Sequence, residues 1–66
     1  MNTYKVEYSY LRENGKRVHE HDTCFASRAY DAAEDIRAEY SDLAELRIEH
    51  VWIDTGRAWE SREFDY

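Results

Sequence analysis

The chain predicts an α+β fold of the order ββαββ: a four-stranded antiparallel sheet, order 2-1-3-4, with one helix packed on one face. Three observations predict it. Apolar and polar residues alternate strictly near the start, one helical stripe occupies the middle, and each of the two glycines sits in a turn-forming sequence between strand-like stretches. At 66 residues the chain is a single domain, spanning positions 1–66. A domain this small buries only about 60% of the surface that its unfolded form exposes.

Tyr4, Val6, Tyr8 and Tyr10 alternate with Lys5, Glu7 and Ser9, the signature of a strand with one buried face. Asn14-Gly15 follows, a strong hairpin signal because both residues accept positive φ. With those two residues as the loop, Tyr10 faces His19, Tyr8 faces His21, Val6 faces Thr23 and Tyr4 faces Phe25 in the second strand. The same register sets Glu7 against Asp22, with Glu20 nearby, an opposition of like charges that destabilises a sheet.

The helix is predicted over 27–40. Ser27 is a favoured N-cap, because its hydroxyl can take up an orphaned backbone N–H. Ala29, Ala32, Ala33, Ile36 and Tyr40 recur at spacings of three and four and form one apolar stripe. Asp31, Glu34, Asp35 and Asp42 fall on the opposite side with Ala38. The helix exit has neither glycine nor proline, and Leu43 is expected to cover the bottom of the core.

A third strand is predicted over 46–53. Leu46 and Ile48 share one face while Val51 and Ile53 take the other, so a β-bulge near Glu49-His50 is expected to realign them. Asp54-Thr55-Gly56 makes the next turn. A three-residue loop turns Trp59 inward and Trp52 outward, whereas a two-residue loop of Thr55-Gly56 pairs the two tryptophans on one face. A charged, edge-like fourth strand is predicted over 57–64, with 63–66 fraying.

A right-handed crossover through the helix places the third strand beside the first. The helix-side face is then expected to hold Tyr4, Val6, Tyr8, Phe25, Val51, Ile53 and Trp59. The uncovered face is expected to carry Lys5, Glu7, Glu20, Asp22, Cys24 and Trp52.

Charge narrows the function. A formal net charge of −6 disfavours direct contact with nucleic-acid phosphates and favours a basic protein partner. No apolar run approaches the roughly 18–20 residues that cross a bilayer, and a lone Cys24 without a signal peptide suggests a reducing cytoplasm. His19 and His21, with Cys24 or His50, are the only candidate metal ligands, and their spacing fits no metal motif. No catalytic motif stands out, so neither cofactor, metal nor enzyme activity is expected. Two surfaces remain as partner-binding candidates: the outer helix stripe with Asp31, Glu34 and Asp35, and the open sheet face with Glu7, Glu20, Asp22 and Trp52. Spaced carboxylates can imitate phosphates, and a tryptophan supplies the kind of anchor that dominates interface energetics. Self-association through the open face, as a homodimer, is a further possibility.

The passage Cys24-Phe25-Ala26-Ser27, the helix with Ala32-Ala33, and then Leu46-Arg47-Ile48-Glu49-His50-Val51 resemble the layout of small phage-encoded anti-CRISPR proteins. In outline the chain is also similar to the phage T7 inhibitor of bacterial RNA polymerase. The resemblance implies a non-catalytic inhibitor in the cytoplasm of a bacterial host. Its partner would be the basic nucleic-acid-binding surface of a CRISPR effector complex, whose DNA binding it would block. The alternative it implies is another host-takeover inhibitor, for example of RNA polymerase.

Overall fold

A computed structural model describes residues 1–62 and 66. Its elements are β1 (Asn2–Leu11), β2 (Arg17–Ala26), α1 (Ala29–Glu39), β3 (Ala44–Asp54) and β4 (Trp59–Ser61). They form one antiparallel sheet in the order β2-β1-β3-β4, the topology that the sequence predicts. Among the described residues, no helix is long and apolar enough to cross a membrane. The expected fraying of 63–66 and the extension of the fourth strand to Phe64 fall largely on positions 63–65, outside the described residues. Tyr66 itself packs against the core, and its hydroxyl donates to the Glu49 carbonyl at 3.3 Å.

The core lies between the sheet and the alanine stripe of α1. Tyr4, Val6, Tyr8 and Val51 from the sheet meet Ala29, Ala32, Ala33 and Ile36 from the helix. Small helix residues let the helix backbone lie close to the strands. The helix begins one residue later than Ser27 suggested. Arg28 is the N-cap, with φ −142° and ψ 159°, and makes no capping bond through its side chain. The cap is the residue that is still extended while its carbonyl accepts the first helical bond, and Ala32 N–H donates to Arg28 at 3.1 Å. Leu43 is half-buried but lies outside the core cluster, contrary to its expected place at the core's base.

The first hairpin differs from expectation by one residue. Arg12 N–H donates to the Lys16 carbonyl and Gly15 N–H to the Arg12 carbonyl, both at 2.9 Å, so the loop is Glu13-Asn14-Gly15. This is a three-residue loop closed by a left-handed glycine, with Gly15 at φ +80°. Tyr4 now faces Cys24, Val6 faces Asp22, Tyr8 faces Glu20 and Tyr10 faces Val18. A slip of one residue moves every side chain of a strand to the other face. Glu20, Asp22 and Cys24 therefore lie on the helix side rather than on the open face. Phe25 points outward and is 70% exposed rather than in the core. Two physical gains accompany the shift. Glu7 faces His21 instead of Asp22, and small residues, Cys24 and Ala26, sit on the side that the helix covers.

Gly15 has open space around the position of a Cβ, so a substitution there strains only the backbone. Gly15→Ala is expected to cost about 1–2 kcal/mol, the penalty of a left-handed L-residue. Gly15→Asn should cost less, since asparagine tolerates that region. Urea midpoints of the two variants check this, and equal losses would contradict it.

The bulge in β3 is where the parity switch put it. Glu7 pairs with His50 but Tyr8 pairs with Ile48, leaving Glu49 as the extra residue. Val51, Ile53 and Ile48 can then all turn toward the helix, and Ile48, Ile53 and Leu46 pack against the core. A second register shift follows between Ser9 and Leu11. Beside it Glu45 adopts φ +49°, and Arg17 reaches over from β2 to donate to its carbonyl at 3.1 Å.

The second hairpin follows neither predicted loop. Asp54 pairs with Trp59, which leaves a four-residue loop of Thr55, Gly56, Arg57 and Ala58. The Asp54 carboxylate accepts from Gly56 N–H at 2.8 Å, and the Thr55 hydroxyl donates to the Ala58 carbonyl at 3.1 Å. These side-chain bonds stabilise a longer turn than glycine alone suggested. Trp59 consequently points outward, not into the core, and shares a face with Trp52. It remains 40% exposed.

Candidate functional site

The two faces of the sheet are chemically distinct. The helix side gathers carboxylates. Asp31, Asp35 and Glu39 follow one another at intervals of four, so each is turned only about 40° from the last around the helix axis. This flank of α1 leans toward β2, where Glu20 and Asp22 stand on the same side of the sheet. Cys24 reports the convergence. Its thiol is pushed up, first by burial and then by the negative charges of Asp35, Asp22 and Glu39. Helix and strand acids thus form one ridge rather than two separate surfaces.

Not every acid on the helix side is available in the same way. Asp31 is clasped by Arg28, with the Nε and Nη2 atoms at 3.3 and 3.2 Å from its two oxygens, which raises the Arg28 pKa. Glu34 is held by Arg37 at 2.5 Å on the far flank of the helix. Asp42 borders an open cleft with Leu43 and Arg12 at the hairpin end, away from the ridge. Among the described residues, no Lys, Arg or His lies within ion-pair distance of Glu20, Asp22, Asp35 or Glu39.

The ridge is anchored to the core through tyrosines. The Tyr40 hydroxyl, at the helix C-cap, donates to the Asp22 carboxylate, and its ring stacks on Tyr8 at 5.0 Å. That bond holds the Tyr40 hydroxyl protonated far above its ordinary range, with the neighbouring Tyr8 hydroxyl and then burial adding to the effect. Burial pushes up the Tyr8 hydroxyl too, helped by Asp22 and Glu20. Tyr10 donates to Glu20 at 3.4 Å. Asp22 is therefore a half-buried, fixed member of the ridge, while Glu20, Asp35 and Glu39 are exposed.

The uncovered face carries the remaining predicted residues in a different setting. Glu7 stands between His21 of β2 and His50 of β3, which are its register partners. Trp52 stacks on His50 at 4.2 Å. The Lys5 ammonium sits 4.7 Å from the Trp52 ring and 5.0 Å from that of Trp59. His50 Nε2 lies 2.7 Å from the Ser61 hydroxyl. Toward the hairpin end, Ser9 is fully buried beneath Arg17 and Glu49. Its hydroxyl accepts from Arg17 at 2.9 Å and donates to Glu49. This face mixes charges and aromatic rings and is not an acidic surface. His19, His21 and His50 belong to it, whereas Cys24 is on the other side, so the four candidate metal ligands are divided by the sheet.

The structure thus brings Asp22 and Asp35 together, sets Glu20 on the same side of the sheet, and separates these from Glu7 and Trp52; Asp31 is paired with Arg28, and Glu34 is on the helix but off the ridge. Glu39 stands outside the candidates that the sequence offers, although it continues the Asp31–Asp35 spacing. The shared face of Trp52 and Trp59 is the one expected of the two-residue loop, reached here through a longer loop. No protein-family model, no curated protein and no solved structure matches this chain.

Proposed function

We propose that the chain is a non-catalytic inhibitor whose acidic ridge occupies a basic, nucleic-acid-binding surface of a partner protein. The partner class implied by the anti-CRISPR resemblance is a CRISPR effector complex, whose DNA binding the ridge would block. The observation that carries this reading is that Glu20 and Asp22 of β2 stand on the side of the sheet that α1 covers with Asp35 and Glu39, with Asp22 tied to the helix C-cap through the Tyr40 hydroxyl. Carboxylates fixed on a helix and a strand present spaced negative charge without the flexibility of a tail. Such an array steers a basic partner and raises the rate of encounter.

The test is DNA capture by purified CRISPR effector complexes of several types, with and without the chain. Loss of capture is expected for one of them. Reversing Asp35 and Glu39 together to lysine should weaken inhibition roughly 10- to 100-fold, in keeping with the loss of complementary charge pairs. Reversing Glu7, on the opposite face, should leave inhibition near the unmodified level. Unchanged DNA capture across all effector types sinks the proposal. So does equal sensitivity to Glu7 and to the Asp35/Glu39 pair.

A further inference from the structure

Strand β2 is an edge strand, and what guards it is charge, the carboxylates of Glu20 and Asp22 on the helix side, rather than a bulge or a covering strand among the described residues. It runs for ten residues, pairs with β1 without a register shift, and contains neither proline nor lysine. Among the described residues, no strand lies beyond it. The other edge, β4, is only three residues long. Proteins usually protect a long edge with bulges, lysine, proline or a covering loop, because its unpaired backbone groups are a template for another strand.

The free groups can be assigned. Arg12 and Lys16 form a hydrogen-bonded pair through the Arg12 N–H. Hydrogen-bonded and non-hydrogen-bonded pairs alternate along an antiparallel ladder. The even-numbered residues of β2 therefore bond to β1. His19, His21, Thr23 and Phe25 direct their N–H and C=O groups outward, and no turn or cap bond between described residues uses them.

The side chains beside this edge specify the partner. On the helix side stand Glu20 and Asp22, with Asp35 and Glu39 above them. On the other side are exposed Thr23 and the 70% exposed ring of Phe25. We propose that the free edge of β2 takes up an extended strand from a basic partner protein, with Lys or Arg side chains alternating on the helix side against Glu20 and Asp22. Main-chain bonds then supply affinity and the alternating side chains supply selectivity. This deepens the proposed function, because it rests on the same ridge for the sign of the partner's charge. A second copy of β2 is the poorer occupant. Its helix-side residues are Val18, Glu20, Asp22, Cys24 and Ala26, so β2 of a second copy offers no cation to Glu20 and Asp22 in any register, and in the register centred on His21 it sets the two acids against each other.

The probe is an eight-residue peptide of alternating lysine and valine or threonine, with a glutamate-for-lysine peptide as its control. The readouts are titration by NMR and amide hydrogen exchange. Addition of the lysine peptide is expected to slow exchange at His19, His21, Thr23 and Phe25, with no effect from the control peptide. Thr23→Pro removes one outward N–H while leaving the bonds to β1, a substitution that edge strands accept. It should weaken binding by roughly tenfold or more, the worth of one or two main-chain hydrogen bonds. Absence of binding overturns the proposal, as does binding that leaves those four amides unprotected. Protection that depends on protein concentration without peptide would assign the edge to a second copy and overturn it as well. Thr23→Pro retains every carboxylate. Effector inhibition that survives Thr23→Pro but is lost on reversing Asp35 and Glu39 would leave the ridge standing and remove only strand addition.

Discussion

Replacing Ile36 with alanine is expected to remove most of the stability of the fold. Ile36 is the one large aliphatic side chain that the helix contributes to the core, and it is 1% exposed. Its neighbours on the stripe are alanines, which cannot expand to refill the space. Isoleucine-to-alanine changes in tight cores cost about 2–5 kcal/mol. A domain of this size has only about 3–10 kcal/mol in total, on the usual per-residue scale. Circular dichroism during urea titration should show a native baseline that is shortened or missing at 25 °C. Ile36→Val should restore most of it, at a cost of about 0.5–1.5 kcal/mol. A fully cooperative Ile36→Ala transition with an unchanged midpoint would mean that the helix packs less intimately than the structure shows.

Alkali should loosen the molecule from the ridge inward. Three protonated groups line the contact between acids and core: Cys24, Tyr8 and Tyr40. Each is held above its ordinary value, 9.0 for the thiol and 10.0 for the two phenols. The unfolded chain releases these protons first. Their contribution to stability is therefore complete below about pH 9 and declines as pH rises through the raised folded values. Tyr40→Phe should cost about 1–2 kcal/mol at neutral pH, because it leaves Asp22 without the hydroxyl that it accepts from. The same variant should show a smaller fall between neutral pH and about pH 10.5, since the most strongly raised of the three groups is gone. Urea midpoints at the two pH values read both effects. An identical alkaline fall with and without the Tyr40 hydroxyl would show that the Asp22 bond does not couple protonation to folding.

The architecture was legible because its signals were redundant. Tyr4, Val6 and Tyr8 alternate over enough residues to fix which side of β1 is buried, and the alanine stripe ending in Ile36 admits only one inner face for the helix. Even the bulge at Glu49 was readable, since Leu46-x-Ile48 and Val51-x-Ile53 could share a face only with an extra residue between them. The side-chain map was less legible for a local reason. Asn14-Gly15 serves a two-residue loop and the last positions of a three-residue loop equally well, and the choice turns every side chain of β2 over. The candidate site depended on that choice. Glu20 and Asp22 moved to join Asp35, and Phe25 moved out to the open face. The inward Trp59 of the three-residue loop fails by similar physics, because bonds from the Asp54 and Thr55 side chains set the length of the second loop; the shared face with Trp52 is that of the other loop reading. Ser9 read as an ordinary outward polar residue. Its burial comes from Arg17 and Glu49, residues that the fold alone brings over it.

The segregation of carboxylates to one side has a consequence that does not depend on contact with anything. Lys5, Arg17 and Arg47 stand on the sheet's open side, where Glu7, Glu45 and Glu49 offset them, while the excess negative charge lies on the helix side. The chain is therefore an electric dipole as well as an anion. In the field of a basic surface it experiences a torque before it touches, and rotates its helix side forward. Fewer collisions are then wasted in the wrong orientation, and this advantage shrinks as salt shortens the distance over which the torque acts.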